Sequence, residues 1–191
     1  MAMGFYVDMT RCTGCRACEV ACKDKNRLSG DMAFRNAHTF SVGTFPEVQA
    51  FSCTFSCNHC EEAACVANCP TGAMYKDESG VVLHDDDVCI GCKTCVNSCP
   101  YQVPVYDEEK KIARKCDSCY AIREAGGQPA CVAGCPNRAL EFGDIDELKK
   151  KHGSDLVSET TVHPGADMTK PSLLIKAKPA AKTGTPVEVA W

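Results

Sequence analysis

The chain has 191 residues, seventeen cysteines and a formal net charge of −4, with 45% hydrophobic and 24% charged residues. That length fits one domain or two small ones. The apolar fraction excludes a wholly disordered chain, the negative charge argues against a sequence-independent grip on nucleic acid, and no apolar run nears the roughly 18 residues of a membrane span.

Residues 1–5 carry no basic region ahead of an apolar stretch and no twin arginine, so the chain is expected to be soluble and not to export itself. Residues 4–8 read as a short strand. Cysteine set one follows: Cys12, Cys15, Cys18 and Cys22, spaced C-x2-C-x2-C-x3-C, with loop then helix over 16–26. Residues 39–48, and those just before Cys53, read as extended. Set two is Cys57, Cys60, Cys65 and Cys69, with four residues between its second and third members. A turn at 76–80 leads to 81–83 as the second arm of a hairpin. Set three, Cys89, Cys92, Cys95 and Cys99, repeats the spacing of set one. The acidic residues 85–87 beside it read as a solvated turn. Segments 103–106 and 112–114 flank a turn at 107–111. Set four, Cys116, Cys119, Cys131 and Cys135, has eleven residues ahead of its last pair. Asp144 can cap a helix with Glu147 three residues on, Gly153 can end it, and lysines 149–151 suit its C-terminal dipole. From 154 the chain is rich in Pro, Lys, Thr and Ala and reads as an extended arm. Its apolar stretch 172–176 is expected to lie on a partner. Cys53 belongs to no set and reads as a buried free thiol.

Three chemistries compete for so many cysteines. A disulfide framework favours an even count and a secreted chain, and here the count is odd and no signal is evident. Structural zinc favours two C-x2-C knuckles joined by a longer arm, whereas sets one and three place three cysteines within seven residues. The run C-x2-C-x2-C-x3-C-P is the bacterial ferredoxin signature, in which the fourth cysteine ligates the other cluster. Three of the four terminal cysteines precede proline (Pro70, Pro100 and Pro136), a coincidence with a chance probability of roughly one in two thousand. Gly14 and Gly91 sit between the first two ligands of their sets, where a side chain would crowd a cluster or forbid the backbone angles. The third and fourth cysteines, four apart, share one helical face. The proline then turns the chain out. Four sets thus make four [4Fe-4S] clusters from sixteen cysteines. Internal repetition agrees: Cys12-Thr13-Gly14-Cys15-Arg16-Ala17-Cys18 matches Cys89-Ile90-Gly91-Cys92-Lys93-Thr94-Cys95. The fold expected is α+β: tandem bacterial-type dicluster ferredoxin-like modules of short strands and helices, with an extended C-terminal arm. Its segments are 3–33 (set one), 48–79 (set two), 80–109 (set three), 110–143 (set four) and 144–191 (short helix and partner-binding arm). So little core implies that the clusters themselves help hold the fold.

With Ser56-Cys57-Asn58-His59-Cys60, Asp87-Val88-Cys89-Ile90-Gly91-Cys92 and Asp146-Glu147-Leu148-Lys149-Lys150, the four sets closely resemble the iron–sulfur subunit of dimethyl sulfoxide reductase, within the molybdopterin oxidoreductase family. The resemblance runs from about residue 4 to 176. It implies a subunit without substrate chemistry of its own, carrying electrons between a quinol-oxidising integral membrane anchor and a molybdopterin catalytic subunit. It implies a peripheral place on the cytoplasmic membrane through that complex, on a side the sequence leaves open. Neither the terminal substrate nor the direction of electron flow is legible. The resemblance also pairs set one with four and set two with three. Cluster 1, nearest the catalytic subunit, is then held by Cys12, Cys15, Cys18 and Cys135, and cluster 2 by Cys116, Cys119, Cys131 and Cys22. Cluster 3 is held by Cys89, Cys92, Cys95 and Cys69, and cluster 4, nearest the membrane partner, by Cys57, Cys60, Cys65 and Cys99. Nitrate-reductase relatives carry tryptophan at the second position of set three and a three-iron cluster there. With Cys92 in that place, four irons are expected in every cluster. Lys23 rather than proline follows Cys22, so the local turn there departs from the pattern.

Each cluster with four thiolates carries about −2 when oxidised, so four add about −8 to the chain's −4. Hydrogen bonds and nearby cations must offset this, and Arg16 and Lys93, inside the cluster loops, are the candidates. His59 lies between two ligands, but a Rieske centre needs two histidines. The other function compatible with these motifs is a free-standing polyferredoxin, a diffusible electron carrier for which the C-terminal arm has no evident use. No substrate site is left over to make the chain an enzyme by itself.

Overall fold

The computed structural model describes residues 2–189. β1 (Met3–Asp8) leads into α1 (Ala17–Asn26), then β2 (Arg35–Val42) and β3 (Gln49–Ser56), α2 (Ala64–Ala67), and β4 (Met74–Lys76) with β5 (Val82–His84). Next come α3 (Thr94–Ser98), β6 (Val105–Asp107) with β7 (Ile112–Arg114), α4 (Tyr120–Glu124) and α5 (Ala130–Ala133). β8 (Leu140–Asp144), α6 (Ile145–His152), β9 (Leu173–Lys176) and β10 (Val187–Glu188) complete the order. This is the expected α+β pattern of short elements.

β1 is buried on both faces because it is a central strand: Phe5, Tyr6 and Val7 are each at most 2% exposed. It pairs antiparallel with β8 and parallel with β9. The second sheet runs β10-β2-β3, and β4-β5 and β6-β7 are separate hairpins. Both small hairpins are where their turns place them. The stretch 39–48 differs from the extended run expected there. β2 begins at Arg35, stops at Val42, and turns at Gly43, whose φ of 90° excludes most side chains.

Two corrections concern the last forty residues. The stretch 172–176 does not lie on a partner. Leu173, Leu174 and Ile175 form β9 and are buried against this chain's own β1. The parallel pairing needs a crossover from β1 to β9 too long for local patterning to reveal. β10 likewise pairs with β2. The helix over 145–152 is present as expected: Asp144 accepts hydrogen bonds from the backbone N–H groups of Asp146 and Glu147, both at 3.0 Å, a cap worth about 1 kcal/mol.

The repeated heptapeptides fold alike. Arg16 has φ 60° and ψ 5°, and Lys93 has φ 60° and ψ 7°. Gly14 and Gly91 have φ of 70° and 67°. Each loop therefore makes the same left-handed turns before releasing a helix. The need for glycine is specific. A Cβ on Gly91 would stand 2.2 Å from the Lys111 carbonyl oxygen, and one on Gly14 would stand 2.5 Å from Thr39 Oγ1. The crowding comes from neighbouring protein, on top of the backbone angle. α1 packs on α5 and α2 on α3, so the helices of sets one and four, and of sets two and three, meet as partners. A Cβ on Gly134 would lie 2.8 Å from Ala21 Cβ, which measures how closely α5 approaches α1.

Candidate functional site

All seventeen cysteines are unbridged, and sixteen of them gather in four groups. One hollow is lined by Cys12, Cys15, Cys18 and Cys135. A second is lined by Cys69, Cys89, Cys92 and Cys95. A third is lined by Cys57, Cys60, Cys65 and Cys99. The fourth group shows in its electrostatics: burial pushes the Cys22 thiol up to about 12, with Cys131 and Cys119 adding repulsion. Burial likewise holds Cys116 well above the ordinary thiol range, with Cys22 and Cys131 among the thiols that push it further up. Among the described residues, no three His, Cys, Asp or Glu side chains converge as a single ion would need. The thiols of three groups instead stand around a hollow of their own.

The same mutual repulsion marks the other groups. Burial lifts Cys65 to about 12, with Cys57, Cys99 and Cys60 adding to it, and Cys60 to about 11, where Cys57 and Cys99 contribute. Burial also raises Cys12, with Cys18, Cys135 and Cys15 adding to the rise, and Cys95, with Cys89, Cys69 and Cys92 adding to it. Four desolvated thiols facing one another ionise together only around a cation, which is what an iron cluster supplies. Donors already point at the sulfurs: Ala139 N–H to Cys135 Sγ and Ser118 N–H to Cys116 Sγ at 3.3 Å, Met74 N–H to Cys69 Sγ at 3.5 Å, and Thr169 Oγ1 to Cys60 Sγ at 3.2 Å. In donor set and hydrogen bonding, the residues fit the group.

The order of the groups differs from the expected one. Of its neighbouring thiols Cys116 feels Cys57 most strongly. Lys115 lines the set-two cavity while donating to the Cys116 carbonyl at 2.6 Å. Cys57 and Cys99 share the main core with Cys22, Cys116 and Cys131, whereas Cys69, Cys89 and Cys95 belong to a separate cluster. The set-two group therefore adjoins set four, and the set-three group lies beyond it. The last two places of the expected relay order are exchanged. Pairing of sets within a module says nothing about which member faces the next module, and only tertiary packing fixes that. Cys15 and Cys92, one in each outermost group, are the exposed cysteines.

Arg16 lines the first cavity. Lys93 has a partner of its own in Glu108, at 3.3 Å, and lies over the Tyr106 ring. Two cations that sequence reasoning missed are more deeply placed: Arg35 is 2% exposed and Lys115 6%. Lys115 had one available signal, its position just before a ligand, and Arg35 had none. His59 is fully buried, and its Nδ1 accepts the Val82 N–H at 3.1 Å. Burial, then the charges of Lys115 and Arg123, hold its pKa well below the usual histidine value, so the ring is neutral. The acids at 85–87 make a local turn in which Asp85 accepts from the Asp87 N–H.

Cys53 lies in β3 with 0% exposure, its Sγ 3.8 Å from the Thr54 carbonyl, and burial raises its pKa. Cys53→Ala is expected to leave iron content unchanged and to lower stability by about 1–2 kcal/mol through the small void it leaves. Iron analysis and thermal unfolding check this; loss of a whole cluster's iron would place Cys53 among the ligands.

Cysteine quartets on paired helix–loop modules define a ferredoxin-type iron–sulfur protein. Comparison with known families agrees: a 4Fe-4S dicluster domain matches residues 48–145, and a 4Fe-4S binding domain matches residues 9–25. The chain is 48% identical to the B subunit of the anaerobic dimethyl sulfoxide reductase of Escherichia coli, over 91% of this chain and 87% of that one. It is 40% identical to the corresponding subunit of Haemophilus influenzae (94% and 91%) and 37% identical to the B subunit of the polysulfide reductase of Wolinella succinogenes (90% and 92%). The chain belongs to the iron–sulfur subunit family of the dimethyl sulfoxide reductases, whose members bind [4Fe-4S] clusters and carry electrons.

Proposed function

We propose that this chain is the electron-transfer subunit of an anaerobic respiratory-type reductase, holding four [4Fe-4S] clusters between a molybdopterin catalytic subunit and an integral membrane anchor. The observation that carries the reading is the arrangement of sixteen cysteines in four quartets, each drawing three members from one set and the fourth from its partner set. Bound there, the clusters would supply one-electron carriers of tunable potential. The ligand sets we propose are Cys12, Cys15, Cys18 and Cys135; Cys116, Cys119, Cys131 and Cys22; Cys57, Cys60, Cys65 and Cys99; Cys89, Cys92, Cys95 and Cys69. The backbone N–H groups and threonine hydroxyls at the sulfurs would stabilise thiolate charge, and the cavity walls would exclude water.

The relay we propose runs from the set-one group through sets four and two to set three. Its two ends differ in surface chemistry. Arg16 and Asn137 line the set-one end, with Arg11 hydrogen-bonded to the Arg138 carbonyl, while Ile90 (67% exposed), Val88 and Tyr75 stand exposed about the set-three end beside the exposed Asp86 and Asp87. Polar docking of the catalytic subunit at the first and apolar docking of the anchor at the second is the matching assignment. No helix among the described residues is long and apolar enough to cross a membrane, so membrane association would be peripheral, through the complex.

Isolation of the complex from native membranes under anaerobic conditions tests this. The chain is expected to co-migrate with a molybdopterin protein and to hold about sixteen irons and about sixteen acid-labile sulfides. Iron near eight, or stoichiometric zinc, would overturn the four-cluster reading. A chain with full iron that stays soluble and alone would point instead to a diffusible polyferredoxin.

A further inference from the structure

Burying a cation without a counter-ion is costly, yet this interior does so twice. Arg35 stacks its guanidinium 4.6 Å over the Phe5 ring and donates from Nη1 to Thr54 Oγ1 at 3.2 Å, and its Nη2 has no partner. Thr54 Oγ1 in turn lies 3.6 Å from Cys18 Sγ. Lys115 donates only to backbone carbonyls, those of Val82 and Cys116. Neither residue makes an ion pair among the described residues. The groups close enough to Arg35 to feel its charge are sulfurs of two quartets, Cys18 of the first and Cys131, Cys116 and Cys22 of the second, which are thiolates only when a cluster is bound. Lys115 stands between Cys116 and the cavity that Cys65 lines.

We infer that Arg35 and Lys115 are the fixed counter-charges of the relay, each raising the reduction potentials of the two neighbouring clusters between which it lies. Arg35 serves the set-one and set-four clusters, and Lys115 the set-four and set-two clusters. The inference rests on the four-cluster reading above. Adding one electron to a cluster adds one negative charge with no proton needed to balance it. A buried cation stabilises that reduced form more than the oxidised one, and low local screening extends its reach. Arginine cannot lose its proton to escape the cost, so its charge is permanent. The set-four cluster, flanked by both cations, is the one most dependent on them. The set-three cluster has neither.

Redox titration followed by electron paramagnetic resonance, on the intact complex, separates this from a packing role. Arg35→Gln removes the charge and keeps a donor for Thr54. It is expected to lower the midpoint potentials of the set-one and set-four clusters together and to leave set three unmoved. Lys115→Gln is expected to lower those of sets four and two. Arg35→Lys and Lys115→Arg, which keep the charge, are expected to restore wild-type potentials. Full iron with unmoved potentials in the glutamine variants, or an equal shift in all four clusters, overturns the inference. If a glutamine variant loses iron, the charge-conserving variant decides. Full iron at wild-type potentials there supports a charge role, whereas iron loss or lowered potentials there show that shape matters instead. A wild-type complex with fewer than about sixteen irons would fail the four-cluster reading itself, which iron analysis detects before any titration.

Discussion

Removal of iron from the purified protein is expected to unfold the region from about residue 57 to 115 first, and the three-stranded sheet around β1 last. The reason lies in what each part buries. Around sets two and three the buried apolar side chains, cysteines aside, are Ala63, Ala73, Met74, Val81, Val82, Leu83, Val103 and Ala113. The five larger than alanine contribute about 1.5–3 kcal/mol each on burial, far less than the entropy of ordering that stretch of chain. The spaces that the two cysteine quartets line would lose their central group as well. The part built on β1 keeps an apolar core of Phe5, Val7, Met9, Phe51, Leu140 and Ile175 without any metal. Metal binding and folding are one equilibrium in small metallo-domains, and here the coupling should be strongest where the core is thinnest. After complete chelation, limited proteolysis should cut within 57–115 while 3–8 and 140–152 remain protected in hydrogen exchange. An unchanged cleavage pattern with all iron gone would show that the polypeptide alone holds the fold.

Cysteine spacing made most of the site legible, because a cluster imposes its own geometry on a short run of chain. Three ligands two residues apart, a left-handed residue after the second, and a fourth ligand one helical turn on are local requirements, and the repeated loops at Arg16 and Lys93 meet them with nearly equal backbone angles. The short hairpins and the Asp144-capped helix were readable for the same reason. What escaped reading is non-local. β9 pairs with β1 across more than 160 residues of sequence, and nothing in the composition of 154–191 announces it. The order of the last two quartets depends on which of them stands nearer Cys116, a matter of packing between modules that no spacing encodes. Arg35 sits in β2, outside the cluster loops that hold Arg16 and Lys93, so the spacing of the ligands does not point to it.

Cys92→Ser is expected to convert the outermost cluster to a three-iron form and to cut quinol-driven turnover of the complex. Cys92 is the exposed corner of its quartet, with Thr94 Oγ1 3.3 Å from its sulfur, an interaction that holds the thiol below its ordinary pKa. A serine there ligates iron poorly, and the corner opens to solvent, so one iron can leave. The other three corners stay held. Cys95 is buried in α3, Cys89 stands in the preceding loop, and Cys69 comes from a separate stretch of chain, with the Met74 N–H on its sulfur at 3.5 Å. Losing one thiolate and one iron changes the charge of the group and is expected to raise its potential. For a one-electron carrier each rise of about 60 mV holds the electron about tenfold more strongly. In the proposed relay this group is the last before the anchor, next to the exposed Ile90 and Val88, so every electron arriving there would have to leave that deeper well. Quinol-coupled turnover should therefore fall at least about tenfold, while turnover driven by an artificial dye at the catalytic subunit persists. Electron paramagnetic resonance of the oxidised variant should show a new three-iron signal. An unchanged spectrum with full quinol activity would remove Cys92 from the ligands and the set-three group from the end of the relay.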